Sequence, residues 1–256
     1  MADFDVLAVA RDYLGSRSDL GPAGAAERAA TARLDLDADY CREVADRFDR
    51  APVLSTDPDL LDDYQLFAGE CRAQYEAIRA AGIEVRPWLR SGQPYLGSAE
   101  LFDQVRTSRV LHVHLTVAGH GPFAATGWHP LREPSGVIVD GTPLTHNDLF
   151  RAAHDVFGHL LGRSGFGPAG ELRAAHCHLT LYPPRLHRVL FAEHVAQICW
   201  FFYGRHLRDA AGGIPRPGEP GHRPPHDRPY PPQKVFPFGT DLIARFGRMF
   251  TTREPA

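Results

Sequence analysis

The sequence lacks a long hydrophobic segment, a paired-cysteine motif and an excess of charge of either sign. No apolar run approaches the roughly 20 residues that a membrane-spanning helix needs, so we expect a chain that does not cross a membrane. The four cysteines form no CxxC pair and the N-terminus carries no signal-like segment, which predicts a reduced, cytoplasmic protein. The 28 basic and 31 acidic residues are spread along the chain, so no basic stretch indicates a nucleic-acid partner.

The chain is long enough to bury a full hydrophobic core, with 256 residues of which 43% are hydrophobic. Helical periodicity predicts helices in residues 1–83 and 145–208, and strand-like runs predict a small mixed α/β part in 84–144. The Pro/Gly-rich stretch 209–236 predicts an extended loop or arm, and a C-terminal helix follows in 237–256. We therefore expect a single compact helical domain, mainly α with a small β element (α+β).

Histidine is concentrated in the predicted helices of the second half, and two histidines lie in the stretch AAHDVFGHLLG. In a regular α-helix, residues at i and i+5 are about 140° apart around the axis, so His154 and His159 could not reach one ion. Gly158 lies between them, and glycine is the residue that most readily allows a local helix distortion. We expect such a distortion to bring the two imidazoles together.

The third predicted helix of this part supplies a carboxylate, Glu193, among largely apolar neighbours. A buried carboxylate is costly unless it is paired or bound to a metal. Two histidines and one carboxylate form the facial triad of non-haem Fe(II) oxygenases, so His154, His159 and Glu193 are the predicted metal ligands. The alternatives are two hydrogen-bonded core histidines and an ordinary ion pair of Glu193 with Arg188 or His194.

The block HDVFGH at 154–159, followed by Glu193, resembles the iron-binding block of the pterin-dependent aromatic amino acid hydroxylases. This resemblance implies that His154, His159 and Glu193 bind iron, and that Asp155 occupies the acidic position that the family places near its pterin. The second half is also similar to uncharacterised proteins of phage and bacterial genomes that carry FRAxHDxFGH, GxxGE and ExxxQxxWxxYG. That second likeness implies no known activity.

Further polar residues are candidates for catalytic roles. Glu171 and His178 share a helical face, where they could orient the ligands, act as acid or base on substrate, or bind a second metal. Gln197 lies one helical turn beyond Glu193 and, with Asp155, completes the predicted catalytic set. We expect three other histidines of this part to be solvated because they lie off these faces: His176, His187 and His194.

Two aromatic or histidine-bearing runs are interpreted structurally. His112 and His114 alternate with apolar residues in a predicted strand and resemble the HxH of cupin strands, but no glutamate follows at cupin spacing. We interpret them as the wall of a polar cleft. The aromatic run 200–203 is interpreted as helix core.

These observations predict a non-haem Fe(II)-dependent oxygenase that hydroxylates or oxidises a small metabolite with O2, an amino acid or its derivative being one candidate. Electrons would come from a pterin, another reductant or the substrate. The first alternative is a zinc-dependent hydrolase with the same ligands and Asp155 or Glu171 as general base. The second is a non-enzymatic, metal-stabilised binding or virion-associated protein. The expected partners are a small-molecule substrate and O2, with no nucleic acid or membrane.

Overall fold

The computed structural model describes residues 5–17, 19–21, 24–119 and 127–251. It is 57% helix and 11% strand, which confirms the prediction of a mainly helical chain with a small β element. The helices are α1 (Val6–Gly15), α2 (Ala25–Thr31), α3 (Ala38–Arg50), α4 (Pro58–Ala80), α5 (Ser98–Ser108), α6 (Thr116–Gly119), α7 (His146–His154), α8 (Pro168–Leu179), α9 (His187–Leu190), α10 (Gln197–Tyr203) and α11 (Thr240–Arg248). The strands are β1 (Arg33–Leu34), β2 (Glu84–Trp88), β3 (Val110–His114), β4 (Pro134–Val139), β5 (Thr142–Thr145) and β6 (Phe250–Thr251).

The longest helix, α4, begins at an Asp-Pro pair. Asp57 caps it by accepting a hydrogen bond from the Asp59 amide, and Pro58 takes the first helical position, where its missing N–H costs nothing. Its buried face carries aromatic side chains, of which Phe67 stacks on Tyr182 with ring centroids 4.9 Å apart. This face packs against α7 and so places α4 beside the histidine-rich helices.

The predicted small β part consists of two separate strand pairs. Strands β2 and β3 are parallel and are joined through α5, with Trp88 paired to His114 at their carboxyl ends. In β3 the apolar Leu111 and Val113 are buried while His112 and His114 are half-buried, so the predicted alternation is confirmed.

The second pair, β4 and β5, is a hairpin that leads directly into α7. Its turn residues Asp140 and Gly141 have φ of 49° and 78°, as a tight two-residue turn of this handedness requires. Thr145 then starts α7 with a capping box, since its hydroxyl accepts from the Asp148 amide and the Asp148 carboxylate accepts from the Thr145 amide.

The Pro/Gly-rich stretch 209–236 does not end as a free arm. Gln233 and Lys234 are buried, and the Lys234 ammonium donates to the backbone carbonyls of Phe48, Asp49 and Ala51. The predicted C-terminal helix is shorter than 237–256, because α11 ends at Arg248 and β6 then pairs with β1. Residues 252–256 of that prediction, and residues 1–4, lie outside the described residues.

One cluster of buried hydrophobic side chains connects α1 and α4 with α7, α8 and α11. The histidine-rich helices are therefore held from several sides. Within the described ranges, none of the helices combines the length and hydrophobicity that crossing a membrane requires.

Candidate metal centre

The histidine-rich helices contain two π-helical turns. α7 continues into a π-turn at Asp155–Leu160, and α9 continues into another at Phe191–Ala196. Because a π-turn bonds residue i to i+5, it brings residues five apart onto nearly the same side of the helix. The Nε2 atoms of His154 and His159 are accordingly 3.1 Å apart, which confirms the predicted convergence.

Gly158 contributes space to this turn. A Cβ there would lie 2.8 Å from His154 Nδ1 and 3.1 Å from the Cβ of Ala174 on α8. Its φ is not in the left-handed region, so glycine is needed here because His154 and α8 approach the backbone closely, not because of the backbone conformation. Without a side chain at this position, the His154 ring and α8 can both pack against the turn.

The carboxylate beside the two histidines belongs to Glu171, in the first turn of α8. Its Oε2 is 3.5 Å from His154 Nε2, 3.4 Å from His159 Nε2 and 3.8 Å from His194 Nε2. The preceding residue, Gly170, packs so tightly on Gly165 that a Cβ at position 170 would overlap the Gly165 carbonyl oxygen. This contact fixes where α8 begins and hence where Glu171 lies.

The separations of His154 Nε2 and His159 Nε2 from each other, and of the three imidazole Nε2 atoms from Glu171 Oε2, fit one bound ion. Four ligands about 2.1 Å from a tetrahedral ion would be about 3.4 Å apart, close to the measured separations. His154, Glu171 and His194 form a group whose ligand atoms all lie within 4.8 Å of one another. His159 Nδ1 is 3.1 Å from the Ser164 carbonyl oxygen, which accepts a hydrogen bond from the Nδ1–H group. The proton is then on Nδ1, so Nε2 is free to bind a metal.

The charges in this cluster are strongly coupled. Although burial acts in the opposite direction, His159 and hydrogen bonds from the histidines lower the pKa of Glu171 well below its usual range. Burial and nearby His194 lower the pKa of His154, and burial lowers that of His194. Burial also opposes the change at His159, but the Glu171 carboxylate raises its pKa. Neutral imidazoles and an ionised carboxylate are the forms that bind metal ions.

The predicted catalytic residue Asp155 follows His154 directly. Burial raises the pKa of its carboxyl to about 7, partly opposed by His159. A carboxyl that titrates near neutrality can accept or donate a proton. Asp155 is therefore chemically suited to the acid–base role that the sequence suggested.

The structure does not bring Glu193 to the two histidines. Its Oε1 accepts a hydrogen bond from the Tyr64 hydroxyl and lies 3.1 Å from His129 Nε2, and Gln197 donates to its Oε2 at 3.2 Å. The predicted ligand is thus held by a separate set of side chains, and predicted catalytic Gln197 contacts Glu193. The alternative partner Arg188 pairs with Asp63 instead.

The structure corrects the expectation that His194 is solvated. It is 6% exposed, its ring centroid is 4.0 Å from that of His154, and both of its ring nitrogens are buried without a hydrogen-bond partner. The π-turn Phe191–Ala196 explains the error. It has more residues per turn than an α-helix, so His194 faces α7 where regular spacing would place another residue. His176 and His187 are also partly buried, with His176 stacked on Phe250 at 3.8 Å and His187 Nε2 3.2 Å from the Tyr182 carbonyl.

His178 lies behind the cluster, fully buried. Its Nε2 is 2.8 Å from Gln74 Oε1, and the Gln74 amide donates to the Leu181 carbonyl, which fixes that oxygen as the acceptor. Its ring stacks on Phe150, which also packs against His154 and His194. His178 therefore supports the ligand rings by packing.

No protein-family model, curated protein or solved structure matches the chain. The resemblance to the hydroxylases consequently rests on the motif alone. Tyr64 and His129 had no signal in the sequence, because each meets Glu193 through a long-range contact. Glu171 was identified as a candidate from its position on one face with His178, with binding of a second metal as one possible role, but it was not predicted to share an ion with His154 and His159.

Proposed function

We propose that this protein is a non-haem Fe(II)-dependent oxygenase that oxidises a small organic substrate with O2. Its metal ligands would be His154, His159 and Glu171, with His194 as a fourth donor. The observation that supports this is the triangle of His154 Nε2, His159 Nε2 and Glu171 Oε2, whose sides measure 3.1, 3.4 and 3.5 Å. Such a two-histidine, one-carboxylate face is typical of non-haem Fe(II) centres.

The chemistry of the donors agrees with iron. All four are imidazole nitrogens or a carboxylate oxygen, and the four buried cysteines are not part of the group. Fe(II) accepts up to six ligands, so three or four protein donors leave positions for substrate and O2. When bound, Fe(II) would supply the redox chemistry that O2 activation requires. The motif resemblance suggests a pterin as one source of electrons.

The protein itself shapes access to the centre. The side chains of Glu171 and His154 are 19% and 13% exposed, whereas that of His159 is 2% exposed, so the cluster is most open to solvent at Glu171. Phe166 packs on the inner imidazole His159 with ring centroids 4.8 Å apart and excludes water there. Asp155 stands next to His154 as a proton acceptor or donor.

A zinc-dependent hydrolase is the second candidate, favoured by one observation. Each of the three histidine Nε2 atoms lies 3.4 to 3.8 Å from Glu171 Oε2, and the Nε2 atoms of His154 and His159 are 3.1 Å apart, which is close to the separation of about 3.4 Å between ligands of a tetrahedral ion such as Zn²⁺. Asp155, with its pKa of about 7, would then act as general base toward a water molecule.

Metal binding and an O2 surrogate distinguish the two. The protein is purified anaerobically, its metal content is measured, and Fe(II) and then nitric oxide are added to the metal-free chain. We expect one Fe(II) per chain and the S = 3/2 electron paramagnetic resonance signal of an Fe(II)–nitrosyl. Glu171→Gln should lose both, while Arg248→Gln, at an exposed position on α11, should keep both. Stoichiometric zinc with no Fe(II) binding would overturn the oxygenase proposal and support the hydrolase.

A further inference from the structure

A cavity of about 370 Å³ lies between α4, the segment 128–133 and the start of α7. This volume is in the range of small-molecule sites. Its walls are largely apolar, with Leu61 and Ala68 of α4 on one side and Trp128 and Pro130 on the other. None of the proposed metal ligands lines it, so this cavity is distinct from the metal cluster.

The segment that carries Trp128 is anchored to the protein interior. His129 is buried, and its Nε2 lies 3.1 Å from Glu193 Oε1. Trp128 itself is 54% exposed, and its indole Nε1 donates to Glu133 Oε1 at 2.7 Å. The indole ring is therefore held in position while much of its surface stays uncovered.

The cavity contains a single carboxylate, that of Glu133, and none of the residues that line it is a lysine or an arginine. Among the described residues, Glu133 Oε2 has no hydrogen-bond partner, and no cation lies within 4.0 Å of the carboxylate. The other titratable side chain beside it is His146, whose pKa is lowered by burial, so its imidazole is neutral. The negative charge of Glu133 is thus not balanced from within the cavity.

Two arginines close to this region are engaged elsewhere. Arg72, which influences His146, pairs with Glu76 at 3.0 Å and donates to the Ser135 carbonyl at 2.6 Å. Arg132 donates through its Nε to Gln233 at 2.7 Å, on the Pro/Gly-rich stretch. Neither side chain lines the cavity, so neither occupies the place of a ligand cation.

His146 offers a second polar group beside the carboxylate. Its backbone amide donates to the Glu133 carbonyl at 3.2 Å, which places the two residues next to each other. Its Nδ1 is buried and has no hydrogen-bond partner among the described residues. A primary ammonium group has three N–H donors, so it can bond to both a carboxylate oxygen and a neutral imidazole nitrogen.

We propose that this cavity binds a small organic amine in its protonated form, with the ammonium at Glu133 and the apolar part on Trp128 and Leu61. Tryptophan gives the strongest cation–π contacts of the aromatic side chains, and its indole here is oriented by the same carboxylate that would bind the cation. A hydrogen bond between an ammonium and a carboxylate is charge-assisted on both sides. The observed charge and the exposed ring both favour a cation with an apolar body.

Benzylammonium and its uncharged analogue benzyl alcohol test the site in the metal-free protein at pH 7. Each is titrated into ¹⁵N-labelled protein while NMR follows the Trp128 indole N–H signal, which is identified by its loss in Trp128→Phe. A cation–π contact and one exposed charge pair together correspond to about tenfold in affinity, so the wild type should prefer benzylammonium by about that factor.

Two matched variants show where the preference comes from. Glu133→Gln keeps the shape of the side chain but not its charge, so the preference should fall to about threefold or less, the part that a cation–π contact supplies. Glu43→Gln changes an exposed glutamate on α3 that does not line the cavity and should keep the full preference. Nα-acetyl-lysine amide presents an ammonium without an aromatic ring and should bind more weakly than benzylammonium.

Several results would overturn the proposal. These are a wild type that does not prefer benzylammonium, a Glu133→Gln variant that keeps the tenfold preference, a Trp128 signal that moves in neither titration, or phenylacetate that binds more tightly than benzylammonium. Equal binding of the lysine derivative would assign the cavity to a side chain of a protein partner instead of a free amine. Because no metal is added, these outcomes are independent of the proposed oxygenase function.

Discussion

Two carboxylates, the partly buried Glu171 and the buried Glu193, each face histidine side chains but have different surroundings. Both oxygens of Glu193 meet polar groups of the protein at hydrogen-bonding distance: the Tyr64 hydroxyl and His129 Nε2 at one oxygen, the Gln197 amide at the other. Glu171 Oε2 faces three imidazole Nε2 atoms, none closer than 3.4 Å.

This difference distinguishes a carboxylate that the protein itself stabilises from the one that we propose as a metal ligand. Glu193 is stabilised by protein donors, and its side chain is 1% exposed, so it can remain buried without a metal. The neighbours of Glu171 are too far for good hydrogen bonds but at the separation that a shared ion imposes. Glu193 thus anchors the π-turn that presents His194, while Glu171 would bind the metal.

The largest expected effect is on metal binding when Glu171 is changed. Glu171→Gln removes the negative ligand, so we expect the loss in metal affinity to exceed the roughly 10- to 100-fold typical of an outer partner. Glu193→Gln is the matched control and should keep the affinity within about tenfold. Calorimetric titration with Zn²⁺ and Fe²⁺ measures both. Equal losses in the two variants would remove the distinction between the carboxylates.

The next effect is on stability when Glu193 is deleted. Glu193→Ala leaves the Tyr64 hydroxyl, His129 and Gln197 without their common acceptor in a buried site, at a cost of about 3 kcal/mol in the free energy of unfolding. Urea denaturation of the metal-free protein measures this. Glu171→Ala, whose side chain is 19% exposed, should cost clearly less; a larger cost at Glu171 would reverse the assignment.

Gly158 contributes to the comparison of the two carboxylates because a side chain there would press on His154, a proposed ligand beside Glu171. Gly158→Ala would place a Cβ 2.8 Å from His154 Nδ1, so we expect about 1 to 3 kcal/mol of destabilisation together with weaker metal binding. Gly69 on α4 is exposed, and a Cβ there meets nothing within 4 Å. Gly69→Ala should therefore stabilise by about 0.5 to 1 kcal/mol and leave metal affinity unchanged. Unaltered metal binding in Gly158→Ala would show that His154 is not a constrained ligand.

The smallest expected effect is a pH-dependent change in stability at Tyr64, which donates to Glu193. Burial, and then the Glu193 charge, raise the pKa of Tyr64 well above its usual value. The unfolded phenol ionises above about pH 10 while the folded one keeps its proton, so this residue lowers wild-type stability as the pH rises above 10. Tyr64→Phe should cost about 1 kcal/mol at pH 8, and this cost should shrink at pH 11. If the loss of stability in Tyr64→Phe were the same at pH 8 and pH 11, Tyr64 would not be buried beside the Glu193 charge as the structure shows.

Local signals predicted the elements that carry the centre. Helical periodicity predicted helices in 1–83 and 145–208, and Gly158 between His154 and His159 predicted the distortion that brings the two imidazoles together. The carboxylate that the structure brings to those histidines is not the predicted Glu193, because the third predicted helix is not regular: it contains the π-turn Phe191–Ala196. The π-turn places His194 there, and the carboxylate comes from Glu171 on α8. Contacts such as Tyr64 with Glu193 join distant segments, which periodicity and spacing do not encode.

The most direct test of the centre is a crystal structure of the Fe(II)-loaded protein with anomalous data collected at the iron edge. The account predicts an anomalous peak about 2.1 Å from the Nε2 atoms of His154 and His159 and from Glu171 Oε2, with His194 Nε2 on the same ion. A peak bound to the Glu193 carboxylate, or no peak between Glu171 and the histidines, would contradict it.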